Sequence, residues 1–177
     1  MELFETLKKR RAIRQFTPEP LSDDILRRLV YAARRAPTGG NNPSRRILVV
    51  KDPKTIRLIK QVAPGVLGAP TALLVVLTDL GVASSELGKL GNVVSTLDAG
   101  AAAENVALAA VDLGVGACFT KSYSEAGLKE LLHIPDHCRT EVMLQLGHPQ
   151  SEQPRSMTPR KGADTVYLDR YGRSWNG

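Results

Sequence analysis

Three arginines fall within five positions in the stretch RRAIRQF, residues 10–16, directly behind Lys8 and Lys9. Guanidinium groups match the oxygens of a phosphate through bidentate, charge-assisted hydrogen bonds, so Arg10, Arg11 and Arg14 are candidates for holding an anion. Arg10 and Arg14 are four apart and would share a face if a helix ran through them, with Arg11 projecting elsewhere. A second basic group, Arg155, Arg160 and Lys161, stands near the other end of the chain. Two such groups could converge on a single anion. A solvated basic helix end explains the first group equally well, because charge runs carry little information alone.

The stretch APTGGNNPSRRILVV, residues 36–50, is the next candidate. Thr38, Gly39, Gly40 and Asn41 supply a hydroxyl, a flexible backbone and an amide, a construction suited to a flat polar ligand. An ordinary connection between helix and strand is the alternative. His133, His137 and Cys138 look like metal ligands on paper, but Pro135 interrupts their helical register and no second ligand group answers them, so no metal site is expected. Cys118 precedes an aromatic in an apolar stretch and reads as a small packing residue. Asp98 and Glu104 lie six apart on different faces of one helix, which argues against paired-carboxylate catalysis. Tyr167, Tyr171 and Trp175 suggest a C-terminal arm docked on a partner, against the alternative of a frayed tail.

The elements that must position these residues alternate. Leu3, Phe4 and Leu7 predict a short amphipathic helix over residues 3–12, broken by FTPEP. Ser22 is the expected N-cap of a helix reaching about Ala36, with Ile25, Leu26, Leu29, Ala32 and Ala33 on one face. RILVV and TALLVVLTD read as buried strands, with a helix between them capped by Asp52 and opened by Pro53. Residues 80–92 hold three glycines and two serines and read as a mobile loop with at most one helical turn. STLDAGAAAENVALAAVDLG is the longest helical pattern, ending at Gly114, and its Ala99, Gly100, Ala103, Ala107 and Ala110 would admit a close neighbouring backbone at the centre of the fold. VGACFT is a strand, SYSEAGLKELLHI a helix with Ser122 and Glu125 at capping-box spacing, and TEVMLQLGH a strand. From Pro149 onward the chain is loop-like.

With 177 residues, 42% of them hydrophobic and 24% charged, the chain fits one globular domain, residues 1–177, with 150–177 as a C-terminal arm. Lacking both the Gly-rich fingerprint and the regular spacing of a doubly wound nucleotide fold, the pattern implies an α+β sandwich. No run approaches the roughly 18 apolar residues of a membrane span, and MELFETLKKRR lacks the apolar region of a signal peptide, so a cytoplasmic location without membrane association is expected. The two cysteines then read as free thiols. A net charge of +6 permits nucleic acid or anionic cofactors alike. The chain has no nucleic-acid reader motif and no interleaved aromatics, so no nucleic-acid partner is expected.

Five stretches taken in order resemble the nitroreductase family of FMN-dependent flavoproteins: RRAIRQF, APTGGNNPSRRILVV, LDAGAAAENVALAAVDLGVGACF, EVMLQLGHP and RKGADTVYLDRYG. Together they run over nearly the whole chain. The resemblance implies a mixed sheet flanked by helices, in an intertwined homodimer that binds two FMN molecules tightly at its interface. By position, Arg10, Arg11, Ala12 and Arg14 would line the phosphate and ribityl end, and Arg160 and Lys161 would close on the same phosphate. Thr38, Gly39, Gly40 and Asn41 would approach from the other subunit. Phe119, Thr120, Lys121 and Ser122 would run along the ring. Ala12 stands where the family commonly has serine, and Pro43, Ser44 and Arg45 where it has Gln-Pro-Trp.

The implied activity takes hydride from NADH or NADPH as co-substrate and passes electrons to a small-molecule acceptor such as a nitroaromatic or quinone, in ping-pong fashion. It needs no protein general base, in keeping with the lack of a convincing catalytic His or carboxylate. A flavin-binding carrier or sensor without turnover is the alternative, and a basic nucleic-acid-binding module a more distant one.

Overall fold

A computed structural model describes residues 2–151 and 166–174. One sheet forms the middle of the fold, with a core on each face. Its four strands are β1 (Arg45–Val50), β2 (Ala72–Asp79), β3 (Gly116–Thr120) and β4 (Cys138–Gly147), in the spatial order β1-β2-β4-β3, and every pairing is antiparallel. The central strand β2 is buried along nearly its whole length, which explains why it reads as an uninterrupted apolar run. Side chains alternate across the pleat. Ala72, Leu74 and Val76 enter a core on one face, whereas Leu73, Val75 and Leu77 enter a second core on the other.

Helix α2 (Asp23–Arg35) and the long α5 (Gly91–Asp112) cover the first face. Helices α3 (Pro53–Val62) and α6 (Glu125–Leu132) cover the second. The α+β sandwich inferred from the sequence is therefore three layers deep. Ser22 caps α2 by accepting from the Ile25 N–H, and Asp52 caps α3 by accepting from Thr55, as their sequence positions imply. α5 touches α2 on one side and β2, β3 and β4 on the other. Ala99, Ala103, Ala107 and Ala110 are buried there, and their small side chains permit that double contact. Gly100 instead faces open space.

Three expectations are corrected. Residues 80–90 are not a loop: α4 (Leu80–Leu87) forms there, capped by Asp79 through the Val82 N–H, and a 3-10 turn leads directly into α5, which begins at Gly91 rather than near Ser95. Gly91 permits this junction, because a Cβ there would collide with the Ala83 carbonyl. The capping box at Ser122 and Glu125 does not form. Ser124 caps α6 through the Gly127 N–H, while the Glu125 carboxylate accepts from the Thr140 N–H on β4. Finally, α1 (Leu3–Lys9) stops before the arginines, so Arg10 and Arg14 do not share a helical face.

α1 turns its apolar residues outward, with Leu3 61%, Phe4 75% and Leu7 45% exposed, and the first turns of α5 do the same with Val93 and Leu97. No helix of the described residues is long and apolar enough to cross a membrane.

Candidate functional site

The arginine stretch runs along the outer edge of β3. The Ile13 N–H donates to the Ala117 carbonyl at 2.9 Å, the Thr17 N–H to His148 at 2.8 Å, and the Gln150 N–H back to Gln15 at 3.1 Å. Phe16 anchors the segment: it is buried against Gly116 and Gly147, where any side chain would need its space. Arg10 closes α1 by donating its N–H to the Thr6 carbonyl, and its Nε pairs with Glu104 of α5 at 2.8 Å. Arg11 borders a cavity of about 440 Å³ together with Lys9, Ile13, Ala107 and Ala117. Arg14 reaches the Cys118 thiol; burial pushes that thiol up, and the Arg14 charge and hydrogen bond partly oppose the effect.

A second wall comes from residues 63–70, between α3 and β2. Gln145, fully buried near the end of β4, holds this loop at two points and ties it to β3 at a third. Its Nε2 donates to the Gly65 carbonyl at 2.9 Å and to the Thr120 hydroxyl, and its Oε1 accepts from the Leu67 N–H at 2.8 Å. The Gly65 N–H donates to the Ser122 carbonyl at 3.0 Å. Gly68 has φ +66°, and a Cβ at this position would collide with the Arg14 carbonyl oxygen. The loop, the arginine stretch and the end of β3 thus fix one another.

At the end of β3, Phe119 is 41% exposed, while Thr120 is buried and bonded to Gln145 and Gly65. Lys121 turns its ammonium onto β4, donating to the Thr140 carbonyl at 2.8 Å, with the Tyr123 ring 5.2 Å away. The lysine is committed to a main-chain acceptor.

The glycine loop sits elsewhere in the protomer, against the first half of α5. Asp98 accepts from the Gly39 N–H through both carboxylate oxygens, at 3.0 and 3.1 Å. Gly40 and Asn41 take left-handed conformations, φ +60° and +55°, which glycine and asparagine tolerate best. Arg45 lies beneath, donating to the carbonyls of Ala36 at 2.9 Å, Asp98 at 3.3 Å, and Arg34 and Pro37 at 3.4 Å. Burial lowers its pKa, and Asp98 opposes the shift. The guanidinium satisfies the carbonyls that end α2, a role suited to a cation at a helix C-terminus.

One protomer therefore lays Arg11, Ala12 and Arg14 along β3, the strand that leads into Phe119 to Ser122, and holds Thr38 to Asn41 as a separate loop on α5. Arg160, Lys161 and Trp175 lie outside the described residues. Sequence reading missed Gln145 and the supporting role of Asp98. A single amide in the apolar strand TEVMLQLGH was the available signal for Gln145, since a buried polar side chain must find partners.

A family model described as the nitroreductase family matches residues 7–89 and 62–148. The chain belongs to the nitroreductase family. Among its relatives, an NADPH-dependent oxidoreductase of Staphylococcus haemolyticus is 27% identical over 93% of this chain and 72% of its own. A putative NADH dehydrogenase/NAD(P)H nitroreductase of Archaeoglobus fulgidus is 28% identical over 86% of this chain and 88% of its own. The solved structure of an FMN-dependent nitroreductase of Clostridium difficile superposes with a TM-score of 0.81 at 22% identity, covering 95% of this chain and 99% of that one. This nitroreductase-family chain thus shares the fold across nearly its whole length.

Proposed function

We propose that this protein is an FMN-dependent oxidoreductase that accepts hydride from NADH or NADPH and delivers electrons to a small-molecule acceptor by a ping-pong mechanism, as a homodimer. The observation carrying the proposal is the bond from the Ile13 N–H to the Ala117 carbonyl, which lays the arginine stretch along β3. The donor set there fits a mononucleotide. Among the described residues neither Arg11 nor Arg14 pairs with a carboxylate, and the adjoining cavity of about 440 Å³ falls within the size range of small-molecule sites.

In this reading Arg10, Arg11 and Arg14, joined by Arg160 and Lys161, neutralise a phosphate, and Ala12 leaves its backbone N–H to contribute. FMN, when bound, supplies the redox chemistry. Phe119 shields one side of the ring from water. The main chain of Thr120 to Ser122, held by Gln145, presents its polar groups at a fixed edge, and preorganised dipoles of this kind need no reorganisation during reaction. Thr38, Gly39, Gly40 and Asn41 of a second protomer complete the pocket. The exposed Leu3, Phe4, Leu7, Val93 and Leu97 offer the apolar surface that a second protomer would cover.

The visible spectrum of the purified protein is the first test: a flavin band that bleaches on adding NADPH or NADH is expected. Double-reciprocal plots against a quinone or nitroaromatic should then be parallel. Colourless protein that does not take up FMN would overturn the reading, and a yellow protein that does not turn over would favour a carrier or sensor.

A further inference from the structure

A second group of chemically capable side chains lies at the far end of β2 and β4. Asp79 and Cys138 are direct cross-strand partners, and His137 precedes Cys138. The Leu80 N–H donates to the His137 carbonyl at 2.9 Å, which ties the start of α4 to the same point. The fold therefore supplies the ligand that the sequence lacked: Asp79 joins His137 and Cys138, while His133, the C-cap of α6, is not part of the group. One carboxylate oxygen, one imidazole nitrogen and the thiol sulfur lie within 4.8 Å of one another. Cys138 is buried and His137 exposed, so the cluster has a protected floor and an open mouth.

We propose that Asp79, His137 and Cys138 form a binding site for a divalent zinc-like cation, with water in the fourth position. A mixed sulfur, nitrogen and oxygen set is what Zn²⁺ accepts, and a carboxylate with a thiolate balances its charge. Burial pushes the Cys138 thiol up, so without metal it keeps its proton. Binding forms a sulfur–metal bond and releases that proton to solvent. Asp79 is already oriented, one oxygen accepting from the Val82 N–H at 3.1 Å and the other from Arg46 at 3.0 Å. An ionised carboxylate has further lone pairs, and Arg46 then acts as the outer partner that commonly steadies a metal-bound carboxylate. The bound cation would clip the start of α4 to the start of β4.

The test uses full-length protein stripped with a chelator and titrated with Zn²⁺ against a chromophoric indicator, then with Co²⁺. Expected are one Zn²⁺ per chain with a Kd below about 10 µM, and a thiolate-to-cobalt charge-transfer band that Cys138→Ser abolishes. His137→Gln changes an exposed side chain and leaves the fold intact, and it should weaken binding about tenfold or more. Unchanged affinity in His137→Gln, a cobalt band that survives Cys138→Ser, or no saturable binding each overturns the site. None of these readouts depends on the flavin.

Discussion

Gln145 shows how much one side chain can position. Replacing it with leucine keeps the volume of β4 but leaves the Leu67 N–H without a partner inside the protein and the Gly65 carbonyl with the Thr120 hydroxyl alone. A buried unsatisfied group costs about 1–3 kcal/mol, so Gln145→Leu should lower unfolding stability by about 1–3 kcal/mol in urea titrations. The arginines should behave in the opposite way. Arg11→Ala and Arg14→Ala remove no carboxylate pair, so stability should hold while FMN affinity, read from quenching of flavin fluorescence during reconstitution, falls roughly ten- to hundredfold per charged hydrogen bond lost. The thiols give a pH prediction. Burial raises Cys118 and Cys138 in the folded protein, so the stability associated with neutral thiols is fully present below the ordinary thiol range and is lost as pH rises through the raised folded values. Alkylation at neutral pH should accordingly be slow at both until the protein unfolds, and mass spectrometry after timed iodoacetamide exposure checks this.

Among the elements, α5 decides the architecture, and its sequence announces why. A helix facing both α2 and the sheet needs small side chains on both contacts, and alanine spacing supplies them. Ala103→Leu would force a large group into a filled interior and should cost about 1–3 kcal/mol, seen as a lower thermal midpoint. Capping was legible where one hydroxyl or carboxylate stood alone before an apolar period, as at Ser22 and Asp52. It was not legible at Ser122, because two serines competed and the choice of Ser124 depended on Glu125 being taken by β4. α4 was hidden for a related reason. LGVASSEL has weak helical preference, and Asp79 provides the start only because β2 delivers it there. The two β-layer cores were legible in the apolar runs, but the β4 bulge was not: Val76 pairs with Val142 and Leu77 with Thr140, so Glu141 is the extra residue. Its buried carboxylate accepts from Thr78 and pairs with Arg139, both 2.6 Å away, an arrangement that only the third dimension reveals.

For the molecule as a whole, order along the chain carried the family assignment, since five weak motifs in sequence identify a fold that none identifies alone. Distances between the motifs were not legible. The glycine loop and the arginine stretch both touch α5, at Asp98 and Glu104, yet only the latter adjoins β3. The proposed homodimer would resolve this by letting each protomer complete the other's pocket. Leu97→Asp, on an exposed turn of α5, should then shift the protein from dimer to monomer in light scattering and weaken flavin retention with it. If the wild-type chain scatters as a monomer and still retains flavin, the shared pocket is wrong.

Gly68 carries one more implication, for how this protein can change. Its left-handed backbone and its closeness to the Arg14 carbonyl exclude every side chain by two independent routes, one conformational and one steric. In a saturation library selected for folded, active protein, codon 68 should collapse to glycine alone, while the exposed neighbour Ala69 drifts freely; the arginine stretch and the 63–70 loop would then have to diversify as one heritable unit.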